Sequence, residues 1–338
     1  MKARLLSAEA PGGRRENLAG KLPLSTPYVV QFFPIYACNF RCDYCHMSIP
    51  MERREFVTDR QIMEYSLFEK CIDELRQFSE KIRTLRFVGM GEPLLHPEIV
   101  NMVRRAKKAE VARRIEIVTN GSMLSRTISD GLIEAGLDRM VISIQGTSAD
   151  KYNAICHVNF DFNEFVDNIR YLYEHKNNLT MYLKIVDVAL DNRVDKERYF
   201  EIFGDICDEI GIENAVPIFP DVDMNEELTD VSRHKTQFGL PMKHVKVCPQ
   251  PFYTMQINPD GKIVGCYSVY YPRILDDCNE RSLVEIWNGE GYQNFRRQML
   301  DGRENVCKFC EDCQINDFRI FPEDDISGYA AELKGKYQ

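Results

Sequence analysis

The chain has 338 residues, with 43 lysines and arginines against 52 aspartates and glutamates, a formal charge of −9 that argues against free nucleic acid as a partner. With 44% hydrophobic and 28% charged residues it has a globular composition, which excludes a largely disordered chain. The longest uncharged run, 22–40, is broken by Pro23, Pro27 and Pro34 and by polar Ser25, Thr26, Gln31 and Asn39, so no membrane-spanning helix is expected. Residues 1–20 hold no apolar stretch ahead of a small-residue cleavage site, which points to the cytoplasm. Disulfides rarely persist there, so the 12 cysteines call for metal ligation.

In chain order, 1–26 reads as an N-terminal extension. From 27 to 219, short β-branched runs alternate with amphipathic stretches, the pattern of an α/β fold with a parallel sheet and crossover helices. The expected strands are 28–35, 84–88, 114–119, 140–144, 180–186 and 215–219. Ile62, Tyr65, Phe68, Cys71, Ile72, Leu75 and Phe78, spaced three and four apart, mark one intervening helix. Acidic and turn residues make 220–245 a linker. A smaller module follows at 246–320, with a hairpin around Pro259-Asp260-Gly261. The capping box Ser282/Glu285 then opens a helix carrying Leu283, Ile286, Trp287, Phe295 and Leu300. Residues 321–338 form a C-terminal tail. Cys38, Gly91-Glu92-Pro93, Thr119-Asn120-Gly121 and Ser143 all follow or end expected strands, where parallel folds place their sites.

Cys38, Cys42 and Cys45 have the C-x3-C-x2-C spacing, which lets one loop supply three corners of an iron–sulfur cube and leaves the fourth iron open. The overlapping Cys42-Asp43-Tyr44-Cys45-His46 matches a c-type haem attachment signature, but haem attachment requires export and leaves Cys38 without a role. A zinc site would have to join cysteines from opposite ends of the chain. With Tyr44 before the last cysteine, and the loop after the first strand of a βα series, the motif resembles that of the radical S-adenosylmethionine superfamily. The resemblance implies a partial (β/α)6 TIM-like barrel and an open iron that takes the amino and carboxyl groups of S-adenosylmethionine. Reduction then yields a 5′-deoxyadenosyl radical that abstracts hydrogen, with the electron from an external reductant of flavodoxin or ferredoxin type.

Phe87 to Leu95 is similar to the family's Gly-Gly-Glu-Pro stretch, with Met90 replacing its first glycine. The likeness assigns Gly89, Gly91, Glu92 and Pro93 to the methionine amino group. It assigns Thr119, Asn120 and Ser143 to the ribose and carboxylate, and Lys184 to the carboxylate. Cys248, Gly261 and Cys266, followed by Cys307, Cys310 and Cys313, resemble the SPASM or shorter twitch extension of the same enzymes. That implies one auxiliary four-iron cluster, hence two 4Fe-4S clusters per chain, held by Cys248, Cys266 and two of the last three cysteines. Spacing leaves open which two.

Cys71 and Cys207 read as buried helical hydrophobes. Cys156 and Cys278 are candidate hydrogen-atom donors to a substrate radical. The basic run from Arg104 to Arg114 is the solvated face of a crossover helix, and no histidine pair has ligand spacing. Peptide-modifying relatives carry an added N-terminal domain, for which the 26 residues before the first strand leave no room. The expected substrate is therefore a small molecule, a sugar, aminocyclitol or nucleotide sugar, dehydrogenated with the auxiliary cluster as electron acceptor. Epimerisation through a cysteine, peptide modification and a bare electron carrier are the rivals.

Overall fold

A computed structural model describes residues 1–7, 15–54, 60–219, 222, 234–267 and 273–337. Its strands are β1 (Arg4–Leu6), β2 (Val29–Phe32), β3 (Thr84–Phe87), β4 (Ile115–Thr119), β5 (Arg139–Ile144), β6 (Thr180–Val186), β7 (Glu209–Glu213), β8 (Thr254–Ile257), β9 (Lys262–Val264) and β10 (Asp276–Asp277). They form one sheet in the order β1-β7-β6-β5-β4-β3-β2-β8-β9-β10. Strands β2 to β7 are the parallel series of a partial (β/α)6 barrel, and β1 and β8 extend its two edges in the same direction. The crossovers carry α1 (Tyr65–Leu75), α2 (Ile99–Ala109), α3 (Arg126–Ala135), α4 (Ala149–Cys156), α5 (Phe162–His175) and α6 (Arg193–Phe203).

Alternation along each strand separates two environments. Val30 and Phe32 of β2 are fully buried on the helical side, where the Phe32 ring meets Phe68 of α1 edge-on at 5.0 Å. Gln31, between them, faces the barrel interior together with Arg86, Glu116, Arg139, Lys184 and Glu213. Helix starts obey capping rules, with Ser125, Ser148, Asp161 and Asn192 accepting hydrogen bonds from the first-turn amides of α3 to α6.

Several expectations need correction. The sixth barrel strand is Glu209–Glu213, not 215–219. Glu209 and Glu213 turn toward the interior and pair with Arg139 and Lys184, so a segment that looks polar is a central strand. Ala215, Val216 and Ile218 pack in small clusters beyond its end. The first strand stops at Phe32. Cys207 lies in the turn between α6 and β7, outside any helix, with its thiol 3.2 Å from the Phe203 carbonyl. The N-terminal extension contributes β1, which pairs with β7.

The hairpin of the C-terminal module is β8 and β9, with Gly261 at φ +91° in its turn. Because β8 pairs with β2, the module continues the barrel sheet. The expected single helix is two, α7 (Leu283–Asn288), opened by the Ser282/Glu285 capping box, and α8 (Glu290–Asp301). Short helices α9 (Lys308–Asp312) and α10 (Ile315–Arg319) follow. The tail forms α11 (Ala330–Lys336), and Tyr337 beyond it sets its ring against Phe252 at 5.4 Å. Of the linker, residues 220, 221 and 223–233 lie outside the described residues. Gln237 within it bridges the two parts, accepting from the Asn214 amide and donating to the Phe318 carbonyl. Among the described residues no helix is long and apolar enough to cross a membrane.

Candidate active site

Cys38, Cys42 and Cys45 lie on the loop leaving β2, and that loop is seated on the C-terminal end of α4. The amides of Arg41 and Asp43 donate to the carbonyls of Cys156 and Ile155 at 2.9 and 3.0 Å, filling acceptors that the helix end leaves open. His157 closes the helix at φ +56° and places Nε2 2.6 Å from Asp43 Oδ1. Cys42 and Cys156 bring their sulfurs to 3.3 Å.

Burial pushes the thiols of Cys38 and Cys45 up to about 12. The Cys156 contact, followed by burial, raises Cys42 as well. Cys38 is within electrostatic reach of both other loop cysteines. Among the described residues no three His, Cys, Asp or Glu side chains already close around one point. The donor set nevertheless fits an iron–sulfur cluster: three soft ligands on one short loop, protonated until a cation stabilises their thiolates.

Beside this loop runs the turn after β3. A side chain at Gly91 would put its Cβ 2.3 Å from the Ile35 carbonyl oxygen, so only glycine permits the approach. Gly89, at φ +143°, lies against the Phe33 ring, and Pro93 begins a short 3-10 turn. Glu92 is buried, with 2% of its surface exposed. Its Oε1 accepts from the Leu94 amide at 2.9 Å and from Thr119 Oγ1 at 2.5 Å, and its Oε2 accepts from the Asn120 amide at 2.7 Å. Glu92 thus joins the ends of β3 and β4, and its amide reaches the Ala37 carbonyl at 2.8 Å, tying both to the cysteine loop. Burial raises its carboxyl to about 7 against the pull of those donors.

Asn120 Nδ2 is 3.8 Å from Cys38 Sγ and 2.9 Å from Asn39 Oδ1. The Tyr44 hydroxyl donates to Gln145 Oε1, while the Ser143 carbonyl accepts from Gln145 Nε2 at 3.3 Å. The strand ends thus gather Tyr44, Gly89 to Pro93, Thr119, Asn120 and Ser143 around the cysteine loop. Lys184 is engaged elsewhere, with Nζ 2.6 Å from Glu213 in the barrel interior.

The C-terminal cysteines meet at a small cavity lined by Cys248, Cys266, Cys310 and Cys313. Cys307, at the start of α9, lies outside that lining but beside it, its thiol in hydrogen-bond contact with Cys310. Asn316 Nδ2 is 2.7 Å from Cys248 Sγ, and burial pushes that thiol up to about 12. Gln250 and Tyr267 line both this cavity and the barrel interior. Cys278 is fully buried against Cys71 of α1, their sulfurs 3.7 Å apart. Neither Cys278 nor Cys156 lines the barrel cavity among the described residues. Sequence reasoning missed Tyr267, Gln237 and Arg319 in that cavity, since none belongs to a motif; the one available signal was that Tyr267 directly follows Cys266.

The model of the Radical SAM superfamily matches residues 32–192, and that of SPASM, an iron–sulfur cluster-binding domain, matches 248–314. The chain belongs to the radical SAM superfamily and carries a C-terminal SPASM module. Its cofactors are accordingly 4Fe-4S clusters and S-adenosylmethionine. It is 25% identical over 317 residues to the tungsten-containing aldehyde ferredoxin oxidoreductase cofactor-modifying protein of Pyrococcus furiosus, covering 83% of this radical SAM chain and 85% of that one. It is 37% identical over 119 residues to the GTP 3',8-cyclase of Chlorobaculum tepidum, a match that spans 35% of this chain and only 33% of the cyclase. The solved structure of native anSMEcpe with bound AdoMet superposes with a TM-score of 0.62 at 13% identity, covering 92% and 97% of the two chains, a likeness of fold.

Proposed function

We propose that this radical SAM enzyme removes a hydrogen atom from an unactivated carbon of a small molecule, a sugar, aminocyclitol or nucleotide sugar, in a net dehydrogenation. The observation that carries the reading is that Gln250 and Tyr267 belong to both cavities. An electron acceptor held by the C-terminal cysteines then lies one side-chain layer from a substrate in the barrel. When bound, S-adenosylmethionine and the clusters supply a 5′-deoxyadenosyl radical that takes the hydrogen atom, and an acceptor for the second electron as a proton leaves to solvent.

Cys38, Cys42 and Cys45 would hold the first cluster, and Cys248, Cys266, Cys310 and Cys313 the auxiliary one. Gly89, Gly91 and Pro93 bring backbone groups to the methionine end, with Tyr44, Thr119, Asn120 and Ser143 around the nucleoside. Glu92 fixes these loops relative to one another. An external reductant of flavodoxin or ferredoxin type delivers the electron.

The test is anaerobic turnover of the reconstituted, reduced enzyme. 5′-Deoxyadenosine should form, and should be absent when Cys38, Cys42 and Cys45 are replaced by Ala. With a competent substrate the product should be lighter by two hydrogens. A product of unchanged oxidation level carrying solvent deuterium at one carbon would overturn dehydrogenation in favour of epimerisation.

A further inference from the structure

The barrel cavity holds about 570 Å³, a volume suited to a metabolite. Its described lining carries 8 basic side chains and 4 acidic ones, although the chain as a whole has a formal charge of −9. Three arginines converge on one carboxylate: Arg86, Arg114 and Arg139 approach Glu116 at 2.6, 3.7 and 3.6 Å. Arg139 also pairs with Glu209 at 2.6 Å.

Near the C-terminal module, Arg319 of α10 donates from Nε to Gln237 Oε1 at 2.6 Å, with its guanidinium 5.5 Å from the centre of the Tyr267 ring. It has no carboxylate partner among the described residues. Glu213, the nearby acid, is engaged by Lys184 at 2.6 Å and by Gln237 Nε2 at 2.5 Å. The Tyr267 phenol feels the positive charge of both Arg319 and Arg86, so one side chain links the two cationic groups.

Arg139 has Glu209 as a second partner, but Arg86 and Arg114 share Glu116 with it and Arg319 has no carboxylate among the described residues, so counter-charge around these half-buried guanidinium groups is incomplete. An incoming anion supplies the missing charge, and planar guanidinium groups can give it paired donors. We infer that the substrate carries a phosphate or carboxylate group, held by Arg86 and Arg319 inside the barrel. The inference rests on the hydrogen-abstraction reading above and narrows it: a nucleotide sugar or an acidic sugar fits this cavity, whereas a neutral sugar or a cationic aminocyclitol does not.

The experiment is anaerobic calorimetry on the reconstituted enzyme loaded with S-adenosylmethionine, in a buffer free of polyvalent anions, with inorganic pyrophosphate and succinate as separate probes. One of them should bind with unit stoichiometry. Arg319→Gln and Arg86→Gln should each weaken it by at least about tenfold, the scale of one charged hydrogen bond. The exposed control Arg193→Gln, at a residue that among the described residues pairs with its helix neighbour Glu197, should leave affinity unchanged. Pyrophosphate binding alone identifies a phosphorylated substrate, and succinate binding alone a carboxylate. If neither probe binds, or if binding is indifferent to Arg319 and Arg86, the inference is wrong. Formation of 5′-deoxyadenosine by the same wild-type preparation is scored separately, so hydrogen abstraction can stand while the anion site fails.

Discussion

The sulfur of Cys156 lies 3.3 Å from that of Cys42, at the contact where the cysteine loop meets the end of α4. Both residues are buried. The loop is therefore anchored from behind by a helix terminus, through two backbone hydrogen bonds and the His157–Asp43 pair. Seated there, Cys156 faces a cysteine of the motif rather than the space a substrate would enter.

Replacing Cys156 with Ala should therefore leave 5′-deoxyadenosine formation and product formation in place. The loss of a small buried side chain should lower stability by about 1–2 kcal/mol. Thermal unfolding and product assays check both parts. A variant that cleaves S-adenosylmethionine normally but makes no product would assign Cys156 the hydrogen-donor role.

Iron stoichiometry separates the three late cysteines. Cys310 and Cys313 line the cavity shared with Cys248 and Cys266, and Cys307 does not. Cys307→Ala should retain about eight irons per chain, two clusters of four. Cys310→Ala should retain about four, and so should Cys313→Ala. An equal loss in Cys307→Ala would place Cys307 in the ligand set.

Much of this was legible in the sequence because the informative residues are local. Five of the six barrel strands announce themselves by β-branched runs and are placed within a few residues. Glu209–Glu213 escaped because its carboxylates face a barrel interior built of ion pairs, which inverts the usual link between burial and apolarity. Strand β1 escaped because three residues at a sheet edge carry no period. The first cysteine loop stood out by its C-x3-C-x2-C spacing, whereas spacing left open which two of Cys307, Cys310 and Cys313 join Cys248 and Cys266. The partner of Cys156 and the convergence of Arg86, Arg114 and Arg139 on Glu116 depend on register between strands and helices far apart in the chain, which no local pattern encodes.

Gly91→Ala offers a test of how the two loops are held together. Its Cβ would fall 2.3 Å from the Ile35 carbonyl oxygen and 2.6 Å from that of Ala37. Both contacts are backbone, so relief requires moving the exit of β2 that leads into the cysteine loop. The variant should lose at least about 2 kcal/mol of stability and should bind S-adenosylmethionine poorly even when it takes up iron. Normal affinity for S-adenosylmethionine would show that the loops tolerate separation.

Glu92 gives the pH-dependent prediction. Burial raises its carboxyl from the ordinary 4.5 to about 7, so between these values the folded protein holds a proton that the unfolded chain has released. The unfolded state then binds fewer protons, and stability falls as pH rises from about 4.5 through about 7, by on the order of 3 kcal/mol at most. Glu92→Gln removes this titration, so its unfolding temperature should decline less over the same interval than that of the wild type. The amide also turns an NH2 group toward donors from Leu94, Thr119 or Asn120, which should lower stability at low pH, where the wild-type carboxyl is protonated. The two unfolding curves should therefore converge as pH rises from 5 to 7. Parallel curves would mean that Glu92 is already ionised in the folded protein at pH 5, with its three donors outweighing burial.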